Sequence, residues 1–190
     1  MDEQDTLPRV IKHLLTHVLV SKYADHQSLY RQNQIFQRAG IDIPRSTLAD
    51  WVGRCGVELA PLVEALKTAI ISQSVLHADE TPVKMLVPGE KKAKKAYVWA
   101  FATTRWSDVQ AVVYDFQPTR AGEVARALVR YLESGDLPID KNWVENQIRP
   151  WALGRSNWLF AGSLRSGQPA ANVMTLIQCA KINGLDPQHI

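Results

Sequence analysis

Two carboxylates stand where acid or metal chemistry is possible. Asp79 closes the apolar run Val75-Leu76-His77-Ala78 and is followed at once by Glu80 and Thr81. A carboxylate at the end of a central strand can hold a divalent metal at the rim of a sheet. The same acidic pair is equally well read as the start of a loop. Glu145 lies in Asn142-Trp143-Val144-Glu145, the pattern of a capping box, in which the Asn side chain accepts from the backbone of the third residue and the Glu reaches back to the cap N–H. Arg149 follows one helical turn later and can pair with Glu145 for roughly 0.2 to 0.5 kcal/mol. On its residues alone this second segment is a helix start. Other ligand types offer less: His13 and His17 share a helical face with no further ligand nearby, and Cys55 and Cys179 lie too far apart for metal-ligand spacing, so both read as small buried hydrophobes.

The elements that must position these groups fall into a helical part and a mixed part. Val10, Ile11, Leu14, Leu15, Val18 and Leu19 recur in pairs every four residues, the signature of a helix with one buried face. A second helix is expected from about Ser28 to Ala39, stopped by Gly40. Ser46 is a plausible N-cap for a third, carrying Leu48, Trp51, Val52, Cys55 and Leu59, which Pro61 must kink or restart before Leu62, Leu66 and Ile70. A helix, a short turn and a helix opening with Arg45, Ser46 and Thr47 has the layout of a helix-turn-helix DNA reader, a layout that ordinary helical packing shares. From residue 75 the pattern changes. Val75 to Asp79, the alternation of Tyr97, Trp99 and Phe101 with Val98, Ala100 and Ala102, and Ala111 to Tyr114 predict three strands in an antiparallel meander. Ala121, Val124, Ala125, Leu128 and Leu132 then give helical spacing up to a turn at Ser134-Gly135-Asp136, and a last helix is expected over Ala170 to Asn183, stopped by Gly184 and Pro187.

With 190 residues and 46% apolar content, the chain can bury a substantial core as one domain or a compact domain with a helical appendage. No apolar stretch approaches the length that crosses a bilayer, and the acidic start is unlike a secretory signal, so a cytoplasmic protein without membrane partners is expected. The net charge of +3 is unevenly placed: residues 1 to 60 hold seven basic and seven acidic side chains, residues 61 to 140 ten of each, and residues 141 to 190 five basic and two acidic. The whole excess therefore lies beside Glu145, where a DNA-cutting site would want it. Lys91, Lys92, Lys94 and Lys95 read as a solvated hairpin tip.

Several stretches, in order, resemble the transposases of the insertion-sequence-66 family. They are Val18 to His26, Leu29 to Gln32, Ile43 to Leu48 with Trp51 to Arg54, His77-Ala78-Asp79-Glu80-Thr81-Pro82-Val83, Leu137 to Asp140, Asn142 to Gly167, and Asn183 to Pro187. The resemblance implies an α+β chain: a helical, DNA-binding region at 1–72, then at 73–190 an incomplete ribonuclease-H-like core with C-terminal helices. It implies that two Asp and one Glu hold two divalent metals, Mg²⁺ or Mn²⁺, with Asp79 as the first Asp and Glu145 as the Glu, both metal ligands. It further implies double-stranded transposon ends as partner and self-association. The layout at the start of the third helix makes Arg45, Ser46 and Thr47 the expected DNA contacts there, and the basic excess near Glu145 adds Arg149, Arg155 and Arg165.

The chain departs from the family pattern in one place. Val129-Arg130 runs directly into Tyr131 to Pro138, which resembles family sequence from just before the Glu helix, so a long central block with the second Asp is expected to be missing. Asp115, Asp136 and Asp140 lie between the two carboxylates, and none follows an apolar strand in the required place. The amino-terminal region of the family is also expected to be absent. The function expected is that of a transposase, acting by metal-dependent phosphodiester cleavage and strand transfer, that is catalytically defective here. The alternative is a noncatalytic DNA-binding remnant or regulator of transposition.

Overall fold

A computed structural model describes residues 3–73, 75–87, 89–90, 92–120, 142–158 and 164–189, with the side chains of 3–10, 155–158 and 164–165 left aside. Four helices come first: α1 (Glu3–Tyr23), α2 (Leu29–Arg38), α3 (Arg45–Glu58) and α4 (Ala60–Ile71). Strands β1 (Leu76–Met85), β2 (Lys94–Thr103) and β3 (Val112–Gln117) follow, then α5 (Asn142–Trp158), α6 (Leu164–Ile182) and a 3₁₀ turn at Pro187–His189. The fold is thus α+β with a helical N-terminal part, as expected.

Local chemistry explains the helix boundaries. The Ser28 side chain accepts from the Arg31 N–H and caps α2, satisfying one of the donors a helix start leaves over. Gly40, at φ 79°, takes the left-handed turn that ends α2. The Asn33 side chain then donates to the Ile43 carbonyl at 2.7 Å, fastening the connection to α3. Ser46 does not cap α3. The cap position falls on Pro44, without a side-chain hydrogen bond, and Arg45 is already helical. Pro61 restarts the chain as anticipated, standing in the first turn of α4, where its missing N–H costs nothing.

The strands pair antiparallel in the order β1-β2-β3, the expected meander, and are longer than their apolar runs. Asp79 pairs with Ala100 in the middle of β1 rather than ending a strand, and Asp115 lies inside β3 opposite Trp99. In the described sheet β1 is an edge and β2 the centre, so the reading of Asp79 on a central strand does not hold there. Hairpin pairing down to Met85 and Lys94 extends the first strand past residues that carry no apolar signal, because the ladder satisfies backbone groups whatever the side chains are.

Strand alternation divides the core. One face presents Val83, Met85, Val98, Ala100, Val112 and Tyr114 to Val144, Ile148 and Trp151 of α5 and to α6 and the N-terminal helices. The other presents Phe101, Ala111 and Val113 to Val63 and Ile70 of α4. The outer edge of β3 is closed by side chains of α6. Val112, Tyr114 and Phe116 donate their N–H groups to Cys179 Sγ at 3.4 Å, Thr175 Oγ1 at 3.0 Å and Gln168 Oε1 at 3.1 Å. A helix laid along a strand in this way removes the unpaired edge that would otherwise template another chain. Cys55 and Cys179 are free and half-buried, and burial pushes the Cys179 thiol up to about 11. Helix α6 begins before the expected Ala170 and takes Pro169 into its interior. The helix expected at 121–132 and the turn at Ser134–Asp136 lie outside the described residues.

Candidate functional site

Residues 77, 79, 81, 83 and 85 of β1 point to one face by the period of two, the face on which Val83 and Met85 meet α5. Asp79 therefore projects to the side that α5 covers. It is half-buried, and its Oδ1 accepts from the backbone N–H of Glu80 at 2.8 Å. Helix α5 is seated by Val144, Ile148 and Trp151, all buried, by the Trp143 indole donating to the Thr103 carbonyl at 2.8 Å, and by the Tyr114 hydroxyl donating to the Gln147 carbonyl. Glu145 stands in its first turn and is exposed. The fold thus brings the helix of one predicted carboxylate onto the strand face of the other.

A third carboxylate does not join them among the described residues. Asp115 shares the opposite face with Val113, and its Oδ2 accepts from the Gln117 side chain at 2.8 Å. Glu80 also points away from Asp79, and its Oε1 is held by the Arg120 guanidinium. Asp136 and Asp140 lie outside the described residues. No group of three His, Cys, Asp or Glu side chains arranged to hold a metal occurs among the described residues.

The expected DNA contacts separate into two groups. Arg45 and Ser46 are exposed and Thr47 half-buried in the first turn of α3, after the α2 turn. Arg149 is exposed on α5. Arg155 and Arg165 lie on α5 and α6, with side chains outside the described set.

A feature missed in the sequence adjoins Arg149. Between the turn after α1, α5 and α6 is a cleft of about 140 Å³, lined by His26, Asn146, Arg149, Gln178, Lys181 and Leu153 over a floor that includes Met174 and Ile177. His26 has a positive φ of 56°, an uncommon conformation for a residue other than glycine. Burial, with a smaller contribution from Lys181, holds its imidazole below its ordinary pKa, while Asp25 acts in the other direction. Close by, burial lowers the Lys22 ammonium to about 8. In the sequence, Arg149 stood as an expected DNA contact and Val18 to His26 and Asn142 to Gly167 as resembling stretches, but nothing there joined them into one cleft.

The sequence model of the family described as Transposase IS66 family matches residues 9–129 and 125–169. Among similar curated proteins of Sinorhizobium fredii (strain NBRC 101917 / NGR234), uncharacterized protein y4qI is 37% identical over 306 residues, taking in 92% of this chain and 57% of its own length. Uncharacterized protein y4jD is 39% identical over 132 residues, 67% of this chain and 25% of its own. Uncharacterized protein y4hP is 31% identical over 88 residues, 46% and 16% respectively. The chain spans little more than half the length of the first of these and less of the others. No solved structure matches it. The alignment to y4qI covers 306 positions, whereas the chain has 190 residues. The relative therefore holds more than a hundred residues, inside the matched span, that have no counterpart here. The two family matches meet at 125–129, beside the junction that the sequence marks at Val129-Arg130.

Proposed function

Because the chain belongs to the transposase IS66 family, we propose that it binds double-stranded transposon-end DNA and does not by itself cut it. The observation that carries this reading is the length of the y4qI alignment, which exceeds the chain itself. A block of that size between β3 and α5 is large enough to hold a strand, its carboxylate and the helices around them. In this reading Asp79 and Glu145 are the remaining members of a set of two Asp and one Glu on an incomplete ribonuclease-H-like core. A complete set holds Mg²⁺ or Mn²⁺, which activates the attacking oxygen and stabilises the leaving one. Among the described residues only Asp79 and Glu145 of that set are present.

DNA binding falls to the helical region at 1–72, through Arg45, Ser46 and Thr47 at the start of α3, and to the basic C-terminal face with Arg149, Arg155 and Arg165. Helix starts present N–H groups to phosphate, and arginines hold it bidentately. Such an assembly acts in the cytoplasm and as a homo-oligomer on paired ends. No described helix is long and apolar enough to cross a membrane.

The test is a nicking and strand-transfer assay on the purified chain with its element-end DNA and Mg²⁺ or Mn²⁺, beside Asp79→Ala and Glu145→Gln. Duplex retention without cleavage is expected. Cleavage lost in both variants would show a complete metal site and overturn the reading.

A further inference from the structure

We propose that the cleft between the α1–α2 turn, α5 and α6 is a seat for a phosphodiester of the DNA backbone, adjoining Glu145. The proposal rests on the DNA-binding reading above and adds to it a site built by His26, Asn146, Arg149, Gln178 and Lys181. These residues come from three separate segments, and the fold alone brings them together.

Four observations converge on an anion. The lining contains the cations Arg149 and Lys181 and no carboxylate. Asn146 and Gln178 add amides; the Gln178 amide donates one N–H to the Gln147 side-chain oxygen at 2.9 Å, which orients it and leaves its second N–H for a ligand. His26 itself stands at positive φ, where a constrained backbone aims its side chain, and it offers a ring N–H rather than a charge, since burial and Lys181 disfavour its protonated form. The cleft is open at its rim, where Leu153 is 51% exposed, leaving an apolar surface for a sugar beside the charged groups. Its volume of about 140 Å³ is well above the roughly 10 to 15 Å³ that one water needs in a cavity, so the cleft has room for a group larger than a water.

The position gives the site a use. Asn146, Arg149 and Leu153 share one side of α5, whereas Val144, Ile148 and Trp151 face the core. Glu145 precedes Asn146 directly and stands one turn before Arg149, roughly 6 Å along the helix. A phosphate seated here would fix the register of a strand passing Glu145, the positioning work that phosphate contacts perform. An acidic protein segment is the competing ligand. Duplex DNA is favoured because Arg149 belongs to the basic C-terminal face already read as DNA-facing.

The test measures binding of the full chain to a short labelled duplex by anisotropy across a salt series. Arg149→Ala and Lys181→Ala are each expected to weaken binding several-fold and to reduce the slope of log K against log salt by about one. Arg149→Lys and Lys181→Arg should keep the slope, which separates lost charge from lost folding, and Lys84→Ala on exposed β1 should leave it unchanged. Wild-type slopes in both alanine variants would remove the cleft from the interface while leaving the DNA-binding reading intact. A wild-type chain that binds no duplex would end both. Displacement of the duplex by polyglutamate at equal charge, lost in the same variants, would reassign the cleft to an acidic partner and overturn the proposal.

Discussion

His26 illustrates how much a single residue's setting decides. In the folded chain, burial and Lys181 disfavour its protonated form, with Asp25 opposing them; Arg149 also lines its cleft. The folded pKa lies below the unfolded one, so the unfolded state takes up the proton first as pH falls. Its contribution to stability is full above the ordinary value of about 6.5 and declines as pH drops through and below it. Melting temperatures followed from about pH 7.5 down to about pH 5 should therefore fall more steeply for the wild type than for His26→Asn. Asn also tolerates positive φ, so the substitution isolates the proton from the backbone. Parallel curves would show that His26 carries no such linkage. The family was legible by contrast, from stretches in order that include those of Asp79 and Glu145. His26 was not legible as a site, because periodicity marks only where α1 ends and cannot bring Lys181 beside it.

At the scale of elements, the packing of α3 on α6 depends on a contact that hydrophobic patterning does not predict. Gly56 is buried in α3, and a Cβ there would stand 2.6 Å from the backbone Cα and C of Pro169. The Asn172 side chain donates to the Gly56 carbonyl at 2.8 Å across the same contact. Gly53, one turn earlier, would meet nothing within 4 Å. The two positions should thus respond oppositely to the same change. Gly56→Ala is expected to destabilise by about 1 to 3 kcal/mol, because backbone rather than a flexible side chain must give way. Gly53→Ala should stabilise by roughly 0.5 to 1 kcal/mol through helix propensity alone. Urea titrations of the two variants measure this, and equal midpoints would refute the close approach. Sequence reading located α2, the restart at Pro61 and the end of α6 because caps, Pro and Gly act locally. It shortened β1 because strand length comes from pairing with β2. It also missed the closing of the β3 edge, since Gln168, Thr175 and Cys179 act there as acceptors chosen by tertiary position.

At the scale of the whole molecule, the two family matches meet at 125–129, between β3 and α5. The larger core cluster joins Val18, Phe36 and Leu48 of the N-terminal helices to Val83, Val98 and Tyr114 of the sheet and Ile177 of α6, so the parts flanking the junction still share one interior. The junction itself was legible, because family-like segments that should be distant became neighbours. The place of Asp79 in the sheet was not, since only the strand order shows β1 as an edge of the described sheet. If the missing block carried the third ligand, restoring it should restore metal linkage before any catalysis is measured. We expect a chain with the unmatched residues of y4qI inserted at 125–129 to gain thermal stability in Mn²⁺. The gain should approach about 2.7 kcal/mol at a hundredfold excess over the dissociation constant, and Asp79→Ala should abolish it. The chain as it stands should show no Mn²⁺ dependence that Asp79→Ala removes. A matching Asp79-dependent gain in the uninserted chain would mean that its own residues already complete the site, and would overturn the proposal that this chain does not cut DNA.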